Sequence, residues 1–201
     1  NIVFMGMGEP FANYNSVVES IRMIKQNLNI GLRHITVSTV GIPPRIRKLA
    51  DEIDFQVNLA ISLHHATDTK RSKLMPVNVR YPIHELMNAC VYYTNKTNRR
   101  ISFEWALIHN ETDTIDCAYE LGDLILNSGI NMKLVHINLI PLNSTELFDG
   151  CASTELNIRD FISTLEQYGI GATLRVRRGI DINAGCGQLK SEVIKKIKKS
   201  E

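Results

Sequence analysis

The chain has 201 residues, of which 44% are hydrophobic and 22% are charged. This composition is ordinary for a globular domain and excludes a collagen-like, disulfide-rich or intrinsically disordered chain. The net charge of +2 is too small to identify a nucleic-acid partner, and no apolar run approaches the roughly 20 residues of a membrane span.

Short apolar segments alternate with helical patterns along the chain. Strands are predicted at residues 1–4, 34–38, 57–63, 101–107, 133–140 and 172–176. The helices between them are predicted from apolar residues spaced three and four apart. Their N-terminal signals are Asn15, Pro43, Pro82 and Thr114, and their terminating glycines are Gly31, Gly129 and Gly169. A further helix is predicted around residues 158–165, and residues 64–80 are predicted to be a polar loop.

This alternation predicts an α/β fold. Strands that alternate with helices are normally parallel and are joined by right-handed crossovers. An open doubly wound sheet and a barrel or part-barrel both fit the pattern. No repeat or linker divides the chain, so a single domain is expected.

Unusual polar residues recur where the predicted strands end. Gly8-Glu9 follows the first strand, Ser38 ends the second, Ser62-Leu63-His64 ends the third, Asn143 follows the fifth and Cys186 follows the sixth. Parallel α/β folds build their sites at the carboxyl ends of their strands. A shared ligand pocket at this rim is therefore expected.

The side chains at this rim suggest chemistry, although each also has a simpler explanation. Gly8 allows close approach of a ligand, Glu9 offers a carboxylate to an amine, and the Ser38 and Ser62 hydroxyls suit a ribose or a carboxylate. A tight turn or a helix cap accounts for the same residues without any ligand. Cys186 stands between two glycines and is a candidate nucleophile, or else a loop thiol with no role.

Basic residues cluster at 70–73, 80, 99–100, 175–178 and 195–199. Clusters near the rim would suit a phosphate backbone. Solvated surface charge is the simpler explanation of any one of them, and the last is interpreted as a basic tail.

Together these motifs resemble the RlmN/Cfr family of radical S-adenosylmethionine RNA methyltransferases. The resemblance covers nearly the whole chain and rests on the order and spacing of six segments: residues 4–10, 37–39, 62–64, 73–76, 138–141 and 181–189. It implies a partial (β/α)6 TIM-like barrel and a cytoplasmic, monomeric enzyme that methylates an adenine ring carbon of 23S rRNA. With Pro10 after Glu9, the motif resembles that of the RlmN branch, which acts at C2 and also on tRNA. The Cfr branch acts at C8.

The resemblance also implies cofactors and roles. Residues matching the positions that hold S-adenosylmethionine are Gly8, Glu9, Ser38, Ser62, Leu63, His64 and Asn143. Cys186 matches the cysteine that carries the methyl group as S-methylcysteine. Family members also bind a [4Fe-4S] cluster through CxxxCxxC and take electrons from a donor such as flavodoxin or ferredoxin.

No CxxxCxxC motif occurs in these 201 residues. The cluster cysteines, the first barrel strand and the cluster loop are therefore expected upstream of Asn1, with residues 1–190 forming the rest of the core domain and 191–201 a basic tail. Such a piece is expected to be inactive alone. Two other classes stay open: a non-catalytic RNA-binding remnant, and a cluster-free α/β enzyme using Glu9 and His64 as acid and base.

Overall fold

Parallel strands form one sheet whose order follows the chain. The computed structural model describes residues 1–5, 8–52, 56–142 and 150–175. The strands within these ranges are β1 (Ile2–Phe4), β2 (Ile35–Thr39), β3 (Asn58–Ser62), β4 (Ile101–Leu107), β5 (Val135–Pro141) and β6 (Ala172–Leu174). Each strand pairs in parallel with the next one in sequence, so β1 and β6 are the edges of the described sheet.

Helices connect successive strands. The α-helices of the described residues are α1 (Tyr14–Leu28), α2 (Pro43–Asp51), α3 (Asp68–Leu74), α4 (Val77–Arg80), α5 (Ile83–Thr97), α6 (Ile115–Asn127) and α7 (Glu155–Gln167). Helix α2 packs on α5, and α6 packs on α7. None of the helices in these ranges combines the length and the apolarity needed to cross a bilayer.

The consecutive strand order decides between the two predicted architectures. A doubly wound sheet reverses its order at a switch point and carries helices on both faces. Right-handed crossovers between strands in unbroken order place every helix on one face. One core cluster accordingly holds side chains from the long helices, among them Ile21, Ile46, Leu86, Leu121 and Phe161. The fold is therefore an α/β part-barrel with a convex face covered by helices and a concave inner face.

Alternation along β4 shows how the two faces differ. Ile101, Phe103 and Trp105 are fully buried in the core cluster. Ser102 and Glu104 stand between them in sequence, so their side chains point to the concave face. The apolar residues thus anchor the sheet to its helices, and the polar ones are left for the inner face.

Several elements lie where the sequence predicts them. Strand β4 has the predicted bounds, and the other strands differ by one or two residues at their ends. Thr114 caps α6, because its hydroxyl accepts a hydrogen bond from the Cys117 amide at 3.3 Å. Gly129 and Gly169 adopt φ of 76° and 71° just beyond α6 and α7, the left-handed conformation typical of a helix end. Residues 176–201, including the rest of the predicted sixth strand and the boundary at 190, lie outside the described residues.

Other predictions at helix ends are wrong. Asn15 does not cap the first helix, because a 3₁₀ turn over Pro10–Asn13 precedes it and α1 begins at Tyr14. That helix ends at Leu28, and its C-cap is Asn29 in the left-handed conformation, with φ of 49°, rather than Gly31. An asparagine side chain tolerates this conformation almost as well as glycine does.

The predicted polar loop at residues 64–80 is also wrong, because it contains α3 and α4. Its polar residues gave no amphipathic signal from the sequence. The segment is helical because Arg71 is fully buried against the strand ends and Asn78 is bonded to Asp68 and Ser72, contacts that only the tertiary structure supplies.

Candidate ligand-binding site

The concave face of the sheet holds a polar cavity of about 360 Å³, a size typical of small-molecule sites. The strands contribute most of its walls. Its lining residues are Val3, Met5, Thr36, Ser38, Ala60, Ser102, Glu104, Asn138, Thr173 and Arg175. Of the predicted site residues that the structure describes, Ser38 lines this cavity. Gly8, Glu9, Ser62, Leu63 and His64 do not line it.

Glu9 holds the turn after β1 against the end of β2. Its Oε1 accepts hydrogen bonds from the Phe11 amide at 2.9 Å and from the Thr39 hydroxyl at 2.5 Å, and its Oε2 accepts one from the Val40 amide at 2.8 Å. An ionised carboxylate offers about four acceptor sites. Three of them are therefore used within the protein, and the side chain acts first as a brace between two strand ends.

Gly8 borders this brace and leaves space beside it. A Cβ built on Gly8 would meet no atom of residues 1–5, 8–52, 56–142 and 150–175 within 4 Å, and the φ of Gly8 lies outside the left-handed range. Neither packing nor backbone conformation therefore requires glycine at this position. The open space is compatible with close approach of a ligand to the backbone.

Ser38 and Ser62 carry hydroxyls that make no hydrogen bond within the described part of the chain. Ser38 pairs in register with Ala60, and Ser62 pairs with Glu104 on β4. Side chains of residues in register on neighbouring strands project to the same face of a sheet. Ser38 lines the cavity, and the register of Ser62 with Glu104 places the Ser62 side chain on the same concave face.

His64 has an unusual backbone and a neutral ring. Its φ is 58°, a conformation that costs free energy in a residue other than glycine and that often marks functional sites. Its Nδ1 accepts a hydrogen bond from the Ala106 amide at 3.0 Å, so the ring proton resides on Nε2. Burial, with a smaller contribution from the Arg71 charge, lowers the pKa of His64 to about 4. His64 therefore offers an N–H donor at neutral pH and is unsuited to shuttle protons with Glu9.

Leu63, by contrast, is fully buried in the core. Its side chain cannot reach a ligand on the concave face. Its backbone amide donates to the Glu104 carbonyl at 3.1 Å, as does the amide of His64 at 3.2 Å. Leu63 anchors the end of β3 and thereby positions Ser62 and His64.

Arg71 on α3 ties together the carboxyl ends of β2 and β3. It is fully buried on α3 and donates to the carbonyls of Leu63, Val40 and Ser62 at 3.1, 2.8 and 3.0 Å, and to Asn78 Oδ1 at 2.7 Å. Burial lowers its pKa to about 10. The sequence grouped Arg71 with basic residues that would suit a phosphate backbone. That interpretation is wrong for this residue, because its guanidinium is enclosed.

Glu104 is a functional candidate that the sequence analysis missed. It lines the cavity, it is only 7% exposed, and its Oε1 accepts a hydrogen bond from Asn138 Nδ2 at 2.7 Å. Burial raises the pKa of its carboxyl group, although the Asn138 bond and the Arg175 charge oppose that effect. The signal was available in the alternation of the fourth strand, which places a glutamate opposite its apolar residues.

The remaining predicted site residues, Asn143 and Cys186, lie outside the described residues. Of the other cysteines, Cys90 and Cys117 are buried and Cys151 is exposed. None of these three lies with a second cysteine in a cluster of ligating atoms in the described ranges. These ranges therefore offer no ligand set for an iron–sulfur cluster.

One group of ligating atoms lies away from the cavity. His65, Cys117 and Glu120 place a nitrogen, a sulfur and a carboxylate oxygen within 4.8 Å of one another, and His65 Nδ1 has no hydrogen-bond partner. The Lys70 ammonium already bonds both Glu120 oxygens, at 2.9 and 3.2 Å. A metal ion would have to displace this cation, so we do not assign a metal to the group.

Comparison with known proteins identifies relatives across the whole chain. No protein-family model matches. A probable dual-specificity RNA methyltransferase RlmN from Natranaerobius thermophilus is 47% identical over 97% of this chain and 55% of its own length. The dual-specificity RNA methyltransferase RlmN 1 of Myxococcus xanthus is 46% identical over 100% of this chain and 55% of its own length. The chain thus spans about half the length of these relatives.

Solved structures agree with the sequence relatives. A radical SAM methyltransferase from Sphaerobacter thermophilus matches 94% of this chain and 54% of its own, with a TM-score of 0.87 and 46% identity. A domain of pyruvate-formate lyase-activating enzyme from Bacteroides vulgatus matches 87% of this chain and 98% of its own, with a TM-score of 0.66 and 16% identity, which supports the fold alone. This chain therefore belongs to the RlmN family of radical SAM RNA methyltransferases.

Proposed function

We propose that this chain is part of a cytoplasmic radical S-adenosylmethionine enzyme that methylates C2 of an adenine in 23S rRNA and in tRNA. The observation that carries the proposal is the concave cavity, lined mostly by polar residues, in a chain 46–47% identical to RlmN proteins. The Ser38 hydroxyl in its wall makes no hydrogen bond to any residue that the structure describes. Because these relatives are named RlmN, the C2-specific RlmN branch is favoured over the C8-specific Cfr branch, in keeping with Pro10 after Glu9.

The described residues suit S-adenosylmethionine. Gly8 leaves room beside the backbone, Ser38 and Ser62 offer hydroxyls, and His64 offers its Nε2–H. Leu63 contributes by anchoring its neighbours, and Glu9 has one acceptor site left for the cofactor's ammonium group. Asn143 is assigned to the same site from the family resemblance. When bound, this cofactor supplies an electrophilic methyl group and a source of radical chemistry.

Cys186 is proposed to accept that methyl group as S-methylcysteine before it reaches the nucleobase. An adenine C2 is electron-poor and does not attack a sulfonium methyl group, whereas a thiolate does. Because the described residues hold no cluster ligands, a [4Fe-4S] cluster and a flavodoxin or ferredoxin donor would engage other parts of a monomeric enzyme.

RNA recognition is assigned to exposed basic residues. Lys73, Arg80 and Arg175 are exposed, and such side chains neutralise phosphate groups; Arg175 also lines the cavity. With its enclosed guanidinium, Arg71 is excluded from this role. We assign no acid–base enzyme built on Glu9 and His64, since the carboxylate braces the turn and the ring stays neutral.

The test uses the full-length protein reconstituted with its cluster. Cys186→Ala is expected to abolish adenine methylation, measured by mass spectrometry of 23S rRNA fragments, while Cys151→Ala, at an exposed position, retains it. Unchanged methylation in Cys186→Ala would discard the thiol relay. Loss of RNA methylation by the wild type itself would instead favour the RNA-binding remnant.

Gly8→Ala provides an independent test of the cofactor site. Because a Cβ at this position meets no atom of the described residues within 4 Å, the variant is expected to unfold at the wild-type temperature. A cofactor that approaches the backbone should bind more weakly, as measured by equilibrium dialysis. If Gly8→Ala binds the cofactor with the same affinity as the wild type, no cofactor atom occupies the space beside Gly8.

A further inference from the structure

We propose that Glu104 binds S-adenosylmethionine directly, by accepting a hydrogen bond from a ribose hydroxyl or from the ammonium group of the cofactor. This inference rests on the proposed function and adds a residue to its site.

The position of Glu104 places its carboxylate at the concave cavity. It lies at the centre of β4 in register with Ser62 on β3 and with Asn138 on β5, and Asn138 pairs with Thr173 on β6. These four residues form one polar row across the inner face. A ligand bonded to the Ser62 hydroxyl would therefore lie about one strand spacing from the Glu104 carboxylate.

The hydrogen bonds of Glu104 are too few for a buried charge. Asn138 donates at 2.7 Å and Ser102 approaches at 3.5 Å, both to Oε1. Oε2 accepts no hydrogen bond from the residues that the structure describes. Oε2 is not one of the buried polar atoms that lack a partner in the described residues, so it is open to the cavity and can accept a hydrogen bond from a ligand there.

A structural ion pair does not account for the residue. Arg175 lines the same cavity, but its side chain makes no ion pair within 4.0 Å of Glu104 among the described residues. Stability alone would favour an uncharged side chain here, because burying a carboxylate without a close cation is unfavourable. A ligand that brings its own donor or positive charge removes this conflict.

The cofactor offers two groups of the required chemistry. Its ribose hydroxyls suit a carboxylate acceptor, as in many nucleotide sites. Its ammonium group is an ionised donor, which forms a stronger hydrogen bond with a carboxylate. Both are hydrogen-bond donors that Oε2 can accept, and the analogue methylthioadenosine distinguishes them because it keeps the ribose but lacks the amino-acid portion.

The experiment measures binding to the full-length, cluster-loaded protein by equilibrium dialysis. Glu104→Gln keeps the shape and the Asn138 contact but removes the charge. It is expected to bind S-adenosylmethionine about 10- to 100-fold more weakly, the usual effect of losing a hydrogen bond to a charged group. The matched control is Glu19→Gln, a largely exposed position on α1 that is expected to leave affinity unchanged.

Two further measurements separate the outcomes. Equal weakening for methylthioadenosine assigns the contact to the ribose, and weakening confined to S-adenosylmethionine assigns it to the ammonium group. The melting temperature of Glu104→Gln should be unchanged or raised. Weaker binding by this variant can then not be attributed to unfolding. If the amide variant is insoluble, Glu104→Met of similar volume is expected to weaken binding to the same extent.

Affinity of Glu104→Gln within about twofold of the wild type overturns this inference while leaving the proposed function intact. Failure of the wild-type protein to bind S-adenosylmethionine overturns the proposed function itself. The same binding assay therefore tests this inference with the Glu104→Gln variant and the proposed function with the wild-type protein.

Discussion

Replacing Arg71 by methionine tests whether the buried guanidinium holds the candidate site together. Methionine keeps most of the apolar stem, so that the loss is confined to the charged group. The four acceptors, which are the Val40, Ser62 and Leu63 carbonyls and Asn78 Oδ1, would lose their donor. The ends of β2 and β3 would then no longer be tied to α3.

The magnitude follows from two opposing contributions. Four hydrogen bonds from a charged donor stabilise the fold by about 6–12 kcal/mol before any penalty. Burial lowers the pKa of Arg71 to about 10, well below its ordinary value, and such a shift corresponds to a penalty of about 3 kcal/mol that methionine would not incur. We therefore expect Arg71→Met to lower the free energy of unfolding by at least about 3 kcal/mol.

Trp105 provides the assay. It is the single tryptophan of the chain and is fully buried, so its fluorescence reports urea unfolding of this domain. Lys73→Met is the matched control, since Lys73 is exposed on the same helix and should change stability by no more than about 0.5 kcal/mol. Arg71→Lys should lie between them, because an ammonium group cannot span four acceptors. A loss below about 1 kcal/mol in Arg71→Met would refute the reasoning.

Other expectations concern packing and pH. Gly122→Ala places a Cβ 2.7 Å from the Tyr168 ring and should cost about 1–3 kcal/mol, whereas Gly31→Ala, with its nearest atom at 3.7 Å, should be nearly neutral in the same urea titration. The pKa of His64 is lower in the folded protein, about 4 against 6.5, so its contribution is complete above pH 6.5 and is lost as pH falls toward 4. His64→Gln should therefore flatten this part of the stability profile, and an unchanged slope would contradict the assignment. Burial would raise the pKa of Asp113, but hydrogen bonds from its neighbours lower it overall, so Asp113→Asn should weaken the acid dependence of stability measured by thermal unfolding.

The amino-acid sequence by itself determined the α/β class and the edge of the sheet at which a site is expected. Alternating apolar segments predicted the strands, and Thr114 and Gly129 marked the ends of α6, because these signals act within a few residues. The rim motifs predicted Ser38 and Ser62 at the carboxyl ends of their strands. Their role toward a cofactor still comes from the family resemblance.

Only the tertiary structure decided what several polar residues contact. Sequence grouped Arg71 with surface charge, but the fold encloses it among carbonyls from two strands. Glu9 was expected to bind a ligand, and the structure adds that its carboxylate braces Thr39 and Val40. Glu104 is a candidate because the unbroken strand order places the side of β4 that carries it on the concave face of the part-barrel. The physical reason is the same in each case: burial and hydrogen bonding depend on partners distant in sequence, which local patterns cannot specify.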